Sequence, residues 1–182
     1  MKNPQYIITV VLSFFVLGIV SCTDDTAKQS TVNTALVDLI PSNTLWDFSM
    51  MLTDSSFVKA KISSRKARLY GERQESYLDT NVIVDFLTPG GKRSARLTCD
   101  SAHIDNRTNN MWAKGKVIIV SDSSHTRVET SVMMWDNTRR KLYSNEYVKI
   151  QRPGELIEGG VGFESDESLR NYRIFRVSGV RQ

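Results

Sequence analysis

The sequence predicts an all-β domain, an open stack of about four antiparallel hairpins set behind an exported N-terminus. Three observations predict it. First, a hairpin motif recurs. Leu97-Thr98-Cys99-Asp100-Ser101-Ala102-His103-Ile104-Asp105-Asn106 aligns with Val128-Glu129-Thr130-Ser131-Val132-Met133-Met134-Trp135-Asp136-Asn137 at an offset of 31 residues. The alignment continues without a gap, placing Met111 on Leu142, Val117 on Val148 and Ile119 on Ile150. Second, apolar and polar residues alternate along the segments after Leu45, the period of half-buried strands. Third, turn-forming clusters separate these segments, as at Thr88-Pro89-Gly90-Gly91 and Arg152-Pro153-Gly154. Self-similarity at such a period means stacked supersecondary units that share a core.

The N-terminal elements come first. Met1 to Gln5 is polar with one positive charge, Lys2, and Ile7 to Val20 is an apolar run of 14 residues. A membrane-spanning helix needs about 20. The run ends in Ile19-Val20-Ser21-Cys22 and gives way at once to Thr23-Asp24-Asp25, the pattern of a secretory signal. A cysteine directly after a small residue resembles a bacterial lipobox, with Ile19 in place of the usual leucine. The expected organisation is therefore a lipoprotein signal peptide over 1–21, acylated Cys22 heading a tether over 22–44, and the β domain over 45–182. The alternative is an uncleaved signal anchor with an incidental cysteine. Within the tether, Val32 to Ile40 could make a short helix before Pro41 stops it.

The hairpins follow in order. The earliest copy, Ile62 to Leu69, precedes the next by 35 residues, and its return strand Val82-Ile83-Val84 falls on Val117-Ile118-Ile119 at that offset. In the second unit Ala95, Leu97 and Cys99 alternate, then parity flips at Asp100-Ser101 so that Ala102 and Ile104 carry the apolar face. A flip of that kind is the signature of a β-bulge. After the polar turn from Asp105 to Asn110, Met111, Ala113, Val117 and Ile119 return on one face. The third unit repeats the scheme through Met133 and Trp135, a turn from Asp136 to Lys141, and a return through Leu142, Val148 and Ile150. A fourth, decayed copy starts at Ile157, turns at Asp166 to Asn171 and ends in Tyr172, Ile174, Phe175 and Val177. This register points Ala102, Ile104, Met133 and Trp135 inward together and leaves His103 outside as a tolerant surface site.

Composition narrows the function. The net charge of +4 is spread along the chain, without the clustered basic stripe and aromatics of a nucleic-acid binder. Catalysis is disfavoured as well: the two histidines, His103 and His125, have no metal-type spacing, and no Gly-x-Ser-x-Gly elbow occurs. No cofactor or metal is implied. With Cys22 acylated, Cys99 is left without an intramolecular partner. Its place in the repeat matches Ser64 and Thr130, which marks it as a small inward residue.

The aligned units resemble the LptC family, the periplasmic component of lipopolysaccharide export, whose β-jellyroll is shared by LptA-like and organic-solvent-tolerance domains. The resemblance is carried by Lys66-Ala67-Arg68-Leu69, by Ser101-Ala102-His103-Ile104-Asp105, and by Met111-Trp112-Ala113-Lys114-Gly115-Lys116-Val117. In the last of these, Lys116 replaces the asparagine of the family's Gly-Asn-Val. Ile157 to Phe163 resembles the family's glycine-containing final repeat, so coverage runs from about Leu45 to the C-terminus. Familiar members hold the membrane with a transmembrane helix, where this chain offers a lipidated cysteine.

The resemblance implies an LptC-like jellyroll that receives lipopolysaccharide from an inner-membrane ABC transporter of LptF/LptG/LptB type. It then passes the lipid to an LptA-like periplasmic bridge. The implied lining for acyl chains is the apolar face, which imposes no directional bonds. Its candidates are Ile62, Leu69, Val84, Phe86, Leu97 and Ala102 in the first units. Ile104, Met111, Val117, Ile119 and Val128 follow, then Met133, Trp135, Leu142, Val148 and Ile150. Individually each also suits an ordinary sandwich core. The implied docking edge for the bridge is the terminal strand, through Tyr172, Ile174, Arg176, Val177 and Val180, where arginines discourage self-pairing. A structural envelope lipoprotein with the same sheet but no lipid cargo is the alternative. Location at the inner membrane follows from the family role; Thr23 beside Cys22 leaves the outer membrane open.

Overall fold

The computed structural model describes residues 39–54 and 56–177, the side chains of 155–158 excepted. The signal segment, Cys22, Val180 and nearly all of the short helix expected before Pro41 lie outside the described residues. Nine strands follow one another: β1 (Asn43–Asp54), β2 (Phe57–Tyr70), β3 (Glu75–Leu87), β4 (Arg93–Asp105), β5 (Asn110–Ser121), β6 (Arg127–Asp136), β7 (Lys141–Arg152), β8 (Glu155–Asp166) and β9 (Tyr172–Val177). They form one antiparallel sheet in sequence order, β1 to β9, so the four hairpins of the repeat are β2–β3, β4–β5, β6–β7 and β8–β9, led by β1. No helix occurs among the described residues.

The turns form where their chemistry demands. In the β3–β4 hairpin Gly91 adopts φ 76° and donates its N–H to Thr88 O at 2.8 Å. At the opposite end an aspartate recurs at the repeat spacing. Asp105, Asp136 and Asp166 each turn a side-chain oxygen back onto backbone amides, of Arg107, Arg139 and Ser168 respectively. This Asx geometry is the local alternative to strand pairing that short acidic side chains offer.

A line of bulges crosses the sheet. The pairing register shifts in the middle of each strand, between Ser63 and Lys66 in β2, Asp79 and Val82 in β3, and Thr98 and Ser101 in β4. The line continues between Lys114 and Val117, Thr130 and Met134, and Ser144 and Tyr147. The bulge expected at Asp100-Ser101 is thus one member of a row. Left-handed backbone supplies the extra residues in alternate strands: Thr80 and Asn81 (φ 66° and 53°), then Gly115 and Lys116 (φ 75° and 44°). The inward residue beside each bulge satisfies a carbonyl that the shift frees. Ser64 Oγ donates to Lys66 O at 3.0 Å, Cys99 Sγ to Ser101 O at 3.2 Å and Thr130 Oγ1 to Tyr147 O at 2.9 Å. These are the three positions that align in the repeat, and burial pushes the Cys99 thiol up to about 12.

The row of bulges is a crease at which the sheet folds on itself. A straight 12-residue strand would span roughly 40 Å. Yet Arg170, in the turn after β8, donates Nε–H to Ser123 Oγ, in the turn at the other end of β5, at 3.2 Å. Only a folded sheet brings those turns together. One leaf, called upper here, carries the half-strands that end at Asp54 and at turns 88–92, 122–126 and 153–154. The lower leaf carries those that end at 71–74, 106–109, 137–140 and 167–171. The inward faces of the leaves pack on each other, with Phe86 of the upper leaf edge-on to Trp135 of the lower leaf at 5.2 Å between ring centres.

Candidate functional site

Three features of this fold are available for function: the apolar space between the leaves, the seam where their rims meet, and the two free edges. The space between the leaves is lined as the alternation predicts. Ala102, Ile104, Met133 and Trp135 are all buried, and so is every other lining candidate except Leu69, which is partly buried against the same cluster. The expectation of an open trough is modified, because the linings of the two leaves interdigitate. Trp135, Phe86 and Ile104 are at most 1% exposed. The space is occupied by the protein's own side chains.

The seam opposite the crease is polar and charged. A cleft of about 500 Å³ lies there between Leu87, Pro89, Lys92 and Arg93 on the upper rim and Arg140, Glu167, Ser168 and Arg170 on the lower rim. Its inner wall is Glu167, a carboxylate whose side chain is only 7% exposed. Both oxygens are engaged: Trp135 donates Nε1–H to Oε1 at 3.0 Å, and Arg140 donates through Nε and a terminal nitrogen to Oε2 at 3.0 and 2.6 Å. The hydrogen bonds that Arg140 donates to Glu167 hold its guanidinium above its ordinary pKa. Arg140 also lies over the Phe57 ring of the upper leaf, 5.8 Å from its centre, so it too spans the seam. Two residues further, Leu169 is fully buried in left-handed backbone at φ 56°. Sequence reasoning treated Asp166 to Asn171 as a plain turn and missed Glu167 and Arg140. The available signal was Leu169, an apolar residue inside a turn otherwise polar.

The outer face of the lower leaf carries a cross-strand ladder. Tyr77 stacks on His103 at 4.7 Å and His103 on Trp112 at 5.2 Å, with Tyr70 edge-on to Tyr77 at 5.5 Å. His103 does face outward as expected, but its side chain is 28% exposed and its Nε2 lies 3.7 Å from Glu75 Oε1. The expectation of a tolerant surface site is corrected: neighbouring strands place aromatic rings directly opposite it, and these bury most of the imidazole.

The free edges differ. β9 is short, with Tyr172 and Ile174 half-buried against the core and Phe175 and Val177 exposed by 54% and 67%. Its arginines, Arg173 and Arg176, are exposed. β1 is twice as long, pairs with β2 alone among the described residues, and exposes Leu45, Trp46 and Met51 by 40%, 70% and 59%. Beside β9, the final repeat's glycines are required by close approach. A Cβ on Gly159 would sit 1.4 Å from Val148 O, and one on Gly160 would sit 2.0 Å from Arg176 O.

A creased antiparallel meander with an apolar interior and, among the described residues, two unpaired edge strands defines an all-β fold of the β-jellyroll type. The family described as "Lipopolysaccharide-assembly, LptC-related" matches residues 10–177, and the chain belongs to that family. A search of curated proteins finds no match to it. Membership gives the protein a role in lipopolysaccharide transport in the cell envelope, as a transport component and not as an enzyme.

Proposed function

We propose that this protein is the membrane-anchored periplasmic subunit that takes lipopolysaccharide from an LptF/LptG/LptB-type ABC transporter and hands it to an LptA-like bridge. Acylated Cys22 supplies the anchor, and the inner membrane is the site of action. The observation that carries the reading is the interleaf space, a largely apolar surface built from both halves of each central strand, in which Glu167 at the seam is the one buried charged side chain among the described residues. Such a surface accepts acyl chains by area alone. The two edges suit a relay: β9 receives the bridge by strand addition, and β1, with its exposed Trp46 and Met51, takes the transporter side.

The test is photocrosslinking in cells that make lipopolysaccharide, with a benzophenone probe at Phe86 or Trp135 and a diazirine probe at Ile104. A carrier yields lipopolysaccharide adducts from these positions, and adducts absent from all three while the protein still supports export would sink the reading. A second reading, a scaffold that joins partners without holding lipid, is favoured by one observation, the close packing of the same side chains between the leaves. The same crosslinks decide between the two.

A further inference from the structure

We propose that the seam is a gated entry site for an anionic amphiphile, whose charged group binds Lys92, Arg93 and Arg170 while Glu167 and Leu169 withdraw to let its acyl chain pass between the leaves. The inference rests on the carrier reading above and adds the port, the gate and the charge of the ligand.

The gate is the turn from Asp166 to Asn171. It is the one place where the rim of the lower leaf sends side chains into the interior against the local grain. Leu169 is fully buried at a φ of 56°, a conformation unfavourable for a branched side chain. Glu167 is a buried carboxylate at the mouth of an apolar space. Neither is held by strand pairing; the turn keeps its shape through Leu169 N–H on Asp166 O and the amides of Ser168 and Arg170 on Asp166 Oδ1. It is fastened to the rest of the domain by the Arg140 and Trp135 bonds to Glu167 and by the Arg170–Ser123 bond across the seam. These fastenings are side-chain contacts that break without unzipping the sheet. The residue that Glu167 covers is Trp135, the largest of the buried side chains and the partner of Phe86 in the opposite leaf. Withdrawing the latch therefore opens onto the centre of the core.

The rim sets the charge of the ligand. Arg93 is paired with Asp122 and Arg140 with Glu167, but among the described residues no carboxylate lies within 4 Å of the side-chain nitrogens of Lys92 or Arg170. Two uncompensated cations face a cleft of about 500 Å³ whose upper rim includes Leu87 and Pro89. A phosphate-type headgroup also competes directly for the latch, because Arg140 offers it the same paired N–H groups it gives Glu167. Headgroup arrival and gate opening are thus one exchange of partners.

The test uses full-length protein in phosphatidylcholine vesicles, labelled with a diazirine-bearing alkyl phosphate or with the alkanol of the same chain length. Adducts on interior peptides are read by mass spectrometry. The wild type should label more heavily with the alkyl phosphate. The substitution Lys92→Glu should cut that labelling severalfold, since it turns an attraction into a repulsion, and leave alkanol labelling unchanged, because the Lys92 side chain makes none of the bonds that fasten the turn. Leu169→Gly, which suits the left-handed backbone, and Glu167→Gln should each raise labelling by both probes severalfold. Interior labelling that none of these variants alters overturns the gated port and leaves the carrier reading standing. No interior labelling in any variant overturns both.

Discussion

At the residue scale, four positions show how neighbours decide what a side chain is worth. Ile104 and His103 are adjacent in sequence and point to opposite faces. Ile104→Asp puts a carboxylate into the interleaf core and should cost several kcal/mol in urea denaturation. His103→Asp is the milder change, but it removes two ring contacts and sets a carboxylate beside Glu75, so about 1–2 kcal/mol is expected. Equal tolerance at both would mean the register is wrong by one residue. Lys116 occupies left-handed backbone at φ 44° on the crease, directly after Gly115, where a Cβ would meet Asp100 Oδ2 at 2.6 Å. Asparagine tolerates that conformation better, so Lys116→Asn should stabilise the domain by a few tenths to about 1 kcal/mol. A lower melting temperature in that variant would contradict the geometry. Asp85 is held below its usual pKa first by the hydrogen bond from Arg96 opposite it, against the opposing effect of burial, with the charges of Arg93 and Lys61 adding to the depression. A depressed carboxylate contributes stability in full above its unfolded value of about 3.9 and loses it as pH falls through the folded value. Replacing the partner, as in Arg96→Met, should therefore cost no more than about 1 kcal/mol at pH 7, and the difference from wild type should vanish in strong acid. A difference that persists unchanged to pH 2 would mean the pair contributes through packing.

At the scale of elements, the strands divide into those whose backbone is satisfied and the two that offer it. β9 follows the sequence expectation, with Tyr172 and Ile174 turned inward and the arginines outward, over Tyr172–Val177. In the sequence reading the strands around Leu45 to Leu52 are the alternative docking edge for the bridge. In the fold β1 is the longer and more apolar edge, and without a partner it would invite aggregation. Truncation before Tyr172 should abolish capture of an LptA-like bridge, while Trp46→Glu with Met51→Glu should spare the bridge and weaken binding to the transporter subunits. Pull-downs with each partner read this out. The opposite pattern would reverse the direction of the relay.

At the scale of the whole molecule, anchor and carrier are separable. Changing Cys22→Ala removes the acceptor thiol and should release the protein from carbonate-washed membranes without altering its melting temperature. Retention would mean that the apolar run from Ile7 to Val20 stays in the bilayer as an anchor. The repeat made the strands, the turns and the bulges of β4 and β6 legible, because each is dictated by residues a few positions apart: alternation for the faces, an aspartate or glycine for each turn, a parity flip for those two bulges. The bulges of β3, β5 and β7 keep their parity and left no such mark. It also marked Cys99, Ser64 and Thr130 as equivalent before their shared bond to a freed carbonyl was seen. Alternation says which side of a strand is apolar, but not what covers it. That was decided by the crease, where the bulges across six strands line up and fold the sheet so that each leaf buries the other. The seam has the same origin. Glu167 meets Trp135 across 32 residues, and Arg170 meets Ser123 across 47, from turns that a flat sheet would hold at opposite ends. Contacts of that kind arise from the bend of the whole sheet, which is a sum over all the strands and is written in no single one of them.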